Sequence, residues 1–175
     1  MGLERKFAQA ETAVQLKDGA VLEGYASWFG VEDTGHDVVE RGAYCDSLAR
    51  AAAEGRRIKM LWQHDPTEVI GLWDEVREDA RGLYVRGRLL PDVAKAREAQ
   101  ALVEAGAMDG LSIGYSVRKA VKDEKGRRLL KELELWEVSL VTFPMLPSAR
   151  VGAKAVAWRD VARAIEAARL DLARD

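Results

Sequence analysis

Gly110-Leu111-Ser112-Ile113-Gly114-Tyr115 alternates small and bulky residues with a period of two, the pattern of a strand whose two faces differ. Carried on through Ser116 and Val117, it sets Leu111, Ile113, Tyr115 and Val117 on one face and Ser112, Gly114 and Ser116 on the other. A serine on a bare strand face, next to a glycine that lets another chain come close, is where an enzyme could present a nucleophilic hydroxyl to a peptide. A small residue packed under a neighbouring strand gives the same pattern. Ser112 therefore needs partners before it means anything chemical.

Two other strand-like segments offer them. In Ile58-Lys59-Met60-Leu61-Trp62-Gln63-His64-Asp65-Pro66, period-two counting puts His64 on the face of Ile58, Met60 and Trp62, at the last strand position before an Asp-Pro turn. In Glu132-Leu133-Glu134-Leu135-Trp136-Glu137-Val138-Ser139-Leu140-Val141, the alternation points Leu133 and Leu135 inward and Glu132 and Glu134 outward, and Glu137 falls on the inward parity. A core-facing carboxylate requires a partner, because burying it unpaired is costly. An imidazole that must be held in one tautomer is such a partner. Glu134 and Asp65 are rivals for the same role, but Glu134 has outward parity and Asp65 reads as a turn-former before Pro66. Nucleophile, base and orienting acid are thus available as Ser112, His64 and Glu137.

Outward from these segments the chain reads as short strands with helices inserted. Val14-Gln15-Leu16, Asp18-Gly19 and the run 21–28 form a hairpin pattern. Residues 42–54 have helical spacing and stop at Gly55, and Pro91-Asp92 opens a second helix that runs to about Ala105 and stops at Gly106. Between them lie the strand 58–64 and a hairpin of 69–76 with 82–90. The Glu137 strand follows the turn at Lys125-Gly126 and is closed by Pro144 and Pro147. The expected fold is α+β, mainly β: a small closed antiparallel or mixed β-barrel with surrounding helices, which also removes exposed strand edges. Three regions are expected: a loosely ordered N-terminus at 1–13, the barrel at 14–151, and a C-terminal amphipathic helix at 152–175. Trp158, Val161, Ile165, Ala168 and Leu172 recur at helical spacing in the last of these. Its apolar stripe fits packing on the barrel, a homodimer contact or a contact with another protein. The five tryptophans are read as core or barrel-rim packing.

Composition narrows the function classes. At 175 residues the chain suits one domain, large enough to bury roughly 68–70% of its unfolded surface. With 48% hydrophobic and 32% charged residues and no long apolar run, neither a membrane span nor a signal peptide is expected, and the protein is placed in the cytoplasm. A net charge of −2 gives no reason to expect nucleic-acid binding. The single cysteine, Cys45, excludes an intrachain disulfide and is read as a small buried residue. Arg56-Arg57 and Arg127-Arg128 are read as solvated loop ends. There is no Walker A loop, no dinucleotide glycine pattern and no His-Glu-x-x-His, so no cofactor is expected. Asp33, His36 and Asp37 are read as turn residues in a polar loop rather than as metal ligands.

Over residues 22–150 the chain resembles the prohead (procapsid) maturation serine proteases of tailed bacteriophages, a family related to the herpesvirus assembly proteases and found also in gene transfer agents. The matching pieces are Gly24-Tyr25-Ala26-Ser27-Trp28-Phe29, Arg41-Gly42-Ala43-Tyr44, Leu61-Trp62-Gln63-His64-Asp65, Gly71-Leu72-Trp73, Gly82-Leu83-Tyr84-Val85, the Ser112 segment, and Leu135 through Pro144. Their order and spacing, more than any one piece, carry the resemblance. It implies the same barrel fold, and a serine endopeptidase packed inside the immature capsid. There it would cleave the scaffolding portion of the major capsid protein and then itself. Helix-mediated dimers occur among related viral proteases, which keeps the homodimer reading of the C-terminal helix open. A catalytically silent capsid-assembly module of the same fold is the alternative; a missing triad member would favour it.

Overall fold

The computed structural model describes residues 4–7, 15–17, 21–33 and 35–143. In chain order the elements are β1 (Glu4–Phe7), β2 (Gln15–Lys17), β3 (Val21–Trp28), β4 (Asp37–Val39), α1 (Cys45–Ala53), β5 (Lys59–Trp62), β6 (Asp65–Glu78), β7 (Gly82–Leu89), α2 (Ala94–Glu104), β8 (Gly110–Lys122) and β9 (Arg128–Val141). Gly55 and Gly106 follow the two helices with φ of +64° and +69°, left-handed stops that a side chain would resist. Both helices and both hairpins expected from the sequence are present. The expected C-terminal helix at 152–175 lies outside the described residues.

The strands form one mixed sheet in the order β1-β8-β9-β5-β6-β7-β3-β2, with β4 attached to β9. β4 and β5 run parallel to β9, while the remaining neighbours are antiparallel. The sheet curls on itself, bringing β3 near β8 and β1. Among the described residues no hydrogen-bonded pairing joins β3 to β8 or to β1, and the path from β1 to β2 forms a curled half-barrel. Glu4–Phe7 pair antiparallel with β8 and set position 7 beside Ser112.

The concave side holds the core: Leu22, Met60, Ile70, Leu83, Val85, Leu111, Ile113, Leu133, Val138 and Leu140 are all buried there. Trp73 crosses it from β6, and its indole N–H donates to the Val138 carbonyl at 3.2 Å. That bond satisfies the one polar group of a buried indole. Not every tryptophan is internal, since Trp136 is 41% exposed with the Arg56 guanidinium 4.8 Å above its ring. Cys45, expected to be buried, is exposed at the start of α1. Its neighbours Gly42 and Tyr44 donate backbone N–H groups to the Glu78 carboxylate, which supplies the helix with an acceptor from β6.

Candidate active site

β8, β9 and β5 are adjacent in the sheet, so three segments far apart in sequence meet side by side. In the β8–β9 ladder Ser112 opposes Ser139 and Gly114 opposes Glu137, while Ile113 opposes Val138 and Tyr115 opposes Leu135. Directly opposed side chains share a face. Ser112, Gly114, Glu137 and Ser139 therefore lie together on the face away from the core.

This corrects the reading of Glu137 as sharing the parity of Leu133 and Leu135. The register shifts between Gly114 and Tyr115, leaving Trp136 as the extra residue of a bulge, and one inserted residue turns every later side chain to the other face. The bulge is held from outside the ladder. Leu135 N–H donates to Ser47 Oγ of α1 at 2.8 Å, and Arg56 Nη1 donates to the Leu135 carbonyl at 3.1 Å. Backbone groups exposed by the irregularity thus keep partners.

His64 also departs from simple alternation. β5 ends at Trp62, and Gln63 and His64 have φ of 52° and 63°, a left-handed pair that non-glycine residues seldom adopt. The pair carries the imidazole from the Met60 face to the Ser112 face. Gln63 N–H donates to the Leu140 carbonyl at 2.9 Å, the Gln63 side-chain amide exchanges hydrogen bonds with Thr142, and His64 N–H donates to Ser139 Oγ at 3.2 Å. Each of these bonds ties the strained turn to β9 or to the residue that follows it.

Ser112, His64 and Glu137 are all buried and in contact. His64 Nδ1 lies 2.5 Å from Glu137 Oε1, and Nε2 lies 2.6 Å from Ser112 Oγ. An ionised carboxylate can only accept, so Nδ1 carries the proton toward Glu137 and Nε2 is left with a lone pair facing the serine hydroxyl. Such a chain can draw the Ser112 proton onto the imidazole while Glu137 steadies the resulting charge. Gly114 is required for this fit. A Cβ there would stand 2.1 Å from Glu137 Oε1, so the carboxylate occupies the space a side chain would fill.

The rival acids are engaged elsewhere. Asp65 accepts from Thr67 N–H and Oγ at 2.8 and 2.6 Å, a turn contact. Its carboxyl is held below the usual range by the Thr67 hydroxyl and then by the Thr67 N–H. Glu134 keeps the expected parity opposite to Leu133 and Leu135, but it is buried rather than solvent-facing: it lies on the face of Glu137, opposite Ser116, with Arg50 Nη2 at 2.5 Å and Arg56 Nη2 at 2.6 Å. Burial pushes its carboxyl up, but the hydrogen bond and charge of Arg50, joined by Arg56, outweigh this and hold it below the ordinary value. Arg56 is accordingly no solvated loop end. Nor are Arg127 and Arg128, which pair with Asp123 and Asp37. His36 is exposed against Glu32, Asp33 accepts from Gly35 and Asp37 N–H groups, and Asp37 is a buried strand residue. Sequence reasoning passed over Ser139 and Gln63. Ser139 was visible as a second small polar residue two places after Glu137, whereas nothing in the sequence marks Gln63 as left-handed. Residues 144–150, whose backbone N–H groups the sequence offers as a source for an oxyanion hole, lie outside the described residues.

Comparison with known proteins decides the lineage. The model of the caudovirus prohead serine protease family matches residues 8–163. The chain belongs to that family. The prohead protease of Enterobacteria phage HK97 is 35% identical over 139 residues, which are 76% of this chain and 59% of that protein. The chain thus spans less than two thirds of that relative's length. Among solved structures, the bacteriophage T4 capsid assembly protease superposes with a TM-score of 0.63 at 14% identity, covering 79% of this chain and 96% of that one. The fold of that protein is therefore shared, at an identity too low to carry more than fold. A weaker superposition, TM-score 0.40 at 12% identity over 75% of this chain and 62% of the other, is with the varicella-zoster virus protease.

Proposed function

We propose that this chain is a serine endopeptidase of capsid maturation, with Ser112 as nucleophile, His64 as general base and Glu137 as the acid that orients and charges the base. The single observation that carries the reading is the continuous contact Ser112 Oγ, His64 Nε2, His64 Nδ1, Glu137 Oε1, with spacings of 2.6 and 2.5 Å. In acylation, Ser112 Oγ attacks the scissile carbonyl carbon and its proton passes to Nε2. As the tetrahedral intermediate collapses, the C–N bond breaks and Nε2 returns the proton to the leaving amine. Water then repeats the sequence against the acyl-enzyme and restores Ser112. The imidazolium formed in each half is stabilised by the Glu137 carboxylate.

Family membership and the HK97 relative's designation as a prohead protease support the substrate: the scaffolding portion of the major capsid protein, cleaved inside the procapsid, with self-cleavage to follow. Among the described residues no helix is long and apolar enough to cross a membrane. The test is to incubate its procapsid with wild-type chain and with Ser112→Ala, and to follow the capsid protein by gel and intact mass. Removing the nucleophile should slow cleavage by about 10⁶-fold without loss of the fold, since deleting one hydroxyl opens little cavity. Cleavage at near wild-type rate in Ser112→Ala, or none with the wild type, would overturn the proposal; the second result would instead fit a silent assembly module.

A further inference from the structure

Ser139 takes no part in the steps above, yet it stands directly opposite Ser112 in the β8–β9 ladder and is fully buried. Its hydroxyl donates to Glu137 Oε2 at 2.6 Å, the oxygen that His64 does not use, and its lone pair accepts His64 N–H at 3.2 Å. One atom thus grips both the acid and the backbone of the base. We propose that Ser139 is a positioning residue for this triad, fixing the rotation of the Glu137 carboxylate and the left-handed turn of His64 at once. The inference rests on the Ser112, His64 and Glu137 reading above.

The chemistry requires such a tie. A carboxylate on three rotatable bonds can swing its charge away from Nδ1, and a left-handed non-glycine turn relaxes if its N–H loses its acceptor. A hydroxyl is suited to hold both because it gives one proton and keeps lone pairs. A serine present only to satisfy a buried N–H would lower stability when removed. It would slow chemistry by the same factor whether or not Glu137 is there.

Inactivation by a small fluorophosphonate separates these cases without a peptide substrate. Ser112 Oγ bonds to phosphorus, fluoride leaves, and the Oγ proton passes to His64 Nε2, so the limiting rate reports activation of the hydroxyl. The rate is measured for the wild type, Ser139→Ala, Ser139→Cys, Glu137→Ala and the Ser139→Ala, Glu137→Ala double variant. Ser139→Ala should slow the limiting rate about 10- to 100-fold while leaving the reagent's apparent affinity nearly unchanged, as expected of misplacement. In the Glu137→Ala background the same change should cost clearly less, because the part of its effect carried through the carboxylate is already gone and only the hold on the His64 N–H remains. Should Ser139→Ala fail to fold, Ser139→Cys carries the test: similar in size and a much weaker donor, it should show the same loss. Wild-type rates in both Ser139 variants, or equal factors in both backgrounds, would overturn the Ser139 role and leave the triad standing. A wild-type rate in Glu137→Ala would instead remove the triad reading itself.

Discussion

His64 and Glu137 were each legible as residue types that needed one another, but the face each occupies was not. Strict alternation assigns both to the core side and Ser112 to the opposite side, an arrangement in which the three could not touch. A left-handed pair at Gln63 and His64 and one extra residue at Trp136 reverse both assignments. Neither irregularity involves the glycine that usually announces it. At this scale three outcomes are expected. Glu137→Gln keeps the shape but removes the charge, and turnover should fall by up to about 10⁴-fold; His64→Ala should inactivate while His36→Ala, at an exposed imidazole held by Glu32, should not. Gly114→Ala should push the carboxylate off its seat and slow the fluorophosphonate reaction about 100-fold, with a folded protein by circular dichroism. Wild-type labelling in Gly114→Ala would show that Glu137 tolerates displacement.

At the scale of elements, α1 and the Arg56 that follows it form a clamp on the β9 bulge. Ser47 and Arg56 satisfy Leu135, and Arg50 and Arg56 neutralise the buried Glu134. The helix was readable from spacing and Gly55, but its purpose was not, because Arg56 next to Arg57 looks like a solvated pair until β9 is placed beside it. Ser47→Ala leaves the buried Leu135 N–H without its acceptor and should destabilise the protein by about 1–3 kcal/mol, read as a lower urea midpoint. It should also slow labelling of Ser112, since the bulge presents Glu137. An unchanged midpoint would mean that the bulge is held by the strand pairing alone.

Across the whole molecule, buried and paired carboxylates tie stability to pH. Glu134 lies below the ordinary carboxyl value for the reasons given above. Asp79 is lowered to about 2: burial opposes the shift, and hydrogen bonds from Tyr25, the Arg81 N–H, Arg77 and the Gly82 N–H outweigh it. A group with a depressed folded pKa binds its proton more readily when unfolded. Its contribution is therefore complete above the ordinary carboxyl range and is lost as pH falls through that range toward the folded value. Urea midpoints measured from neutral pH down to about 3 should fall on the acid side, and Glu134→Gln should be less stable at neutral pH with a shallower acid decline. An identical acid slope in that variant would place the sensitivity elsewhere. The sheet itself shows the same division between legible and hidden. Local strands and both helices follow from periodicity and turn residues, whereas the β5–β9 and β4–β9 parallel pairings depend on contacts between distant segments that no local pattern encodes.

The most direct measurement of the central claim is the location of the fluorophosphonate adduct. Protein treated with the reagent is digested and its peptides are mapped by mass spectrometry, beside His64→Ala treated alike. The adduct should lie on Ser112 and be nearly absent from His64→Ala. A wild-type adduct on any other residue, or one on Ser112 that forms equally fast without His64, would contradict the account.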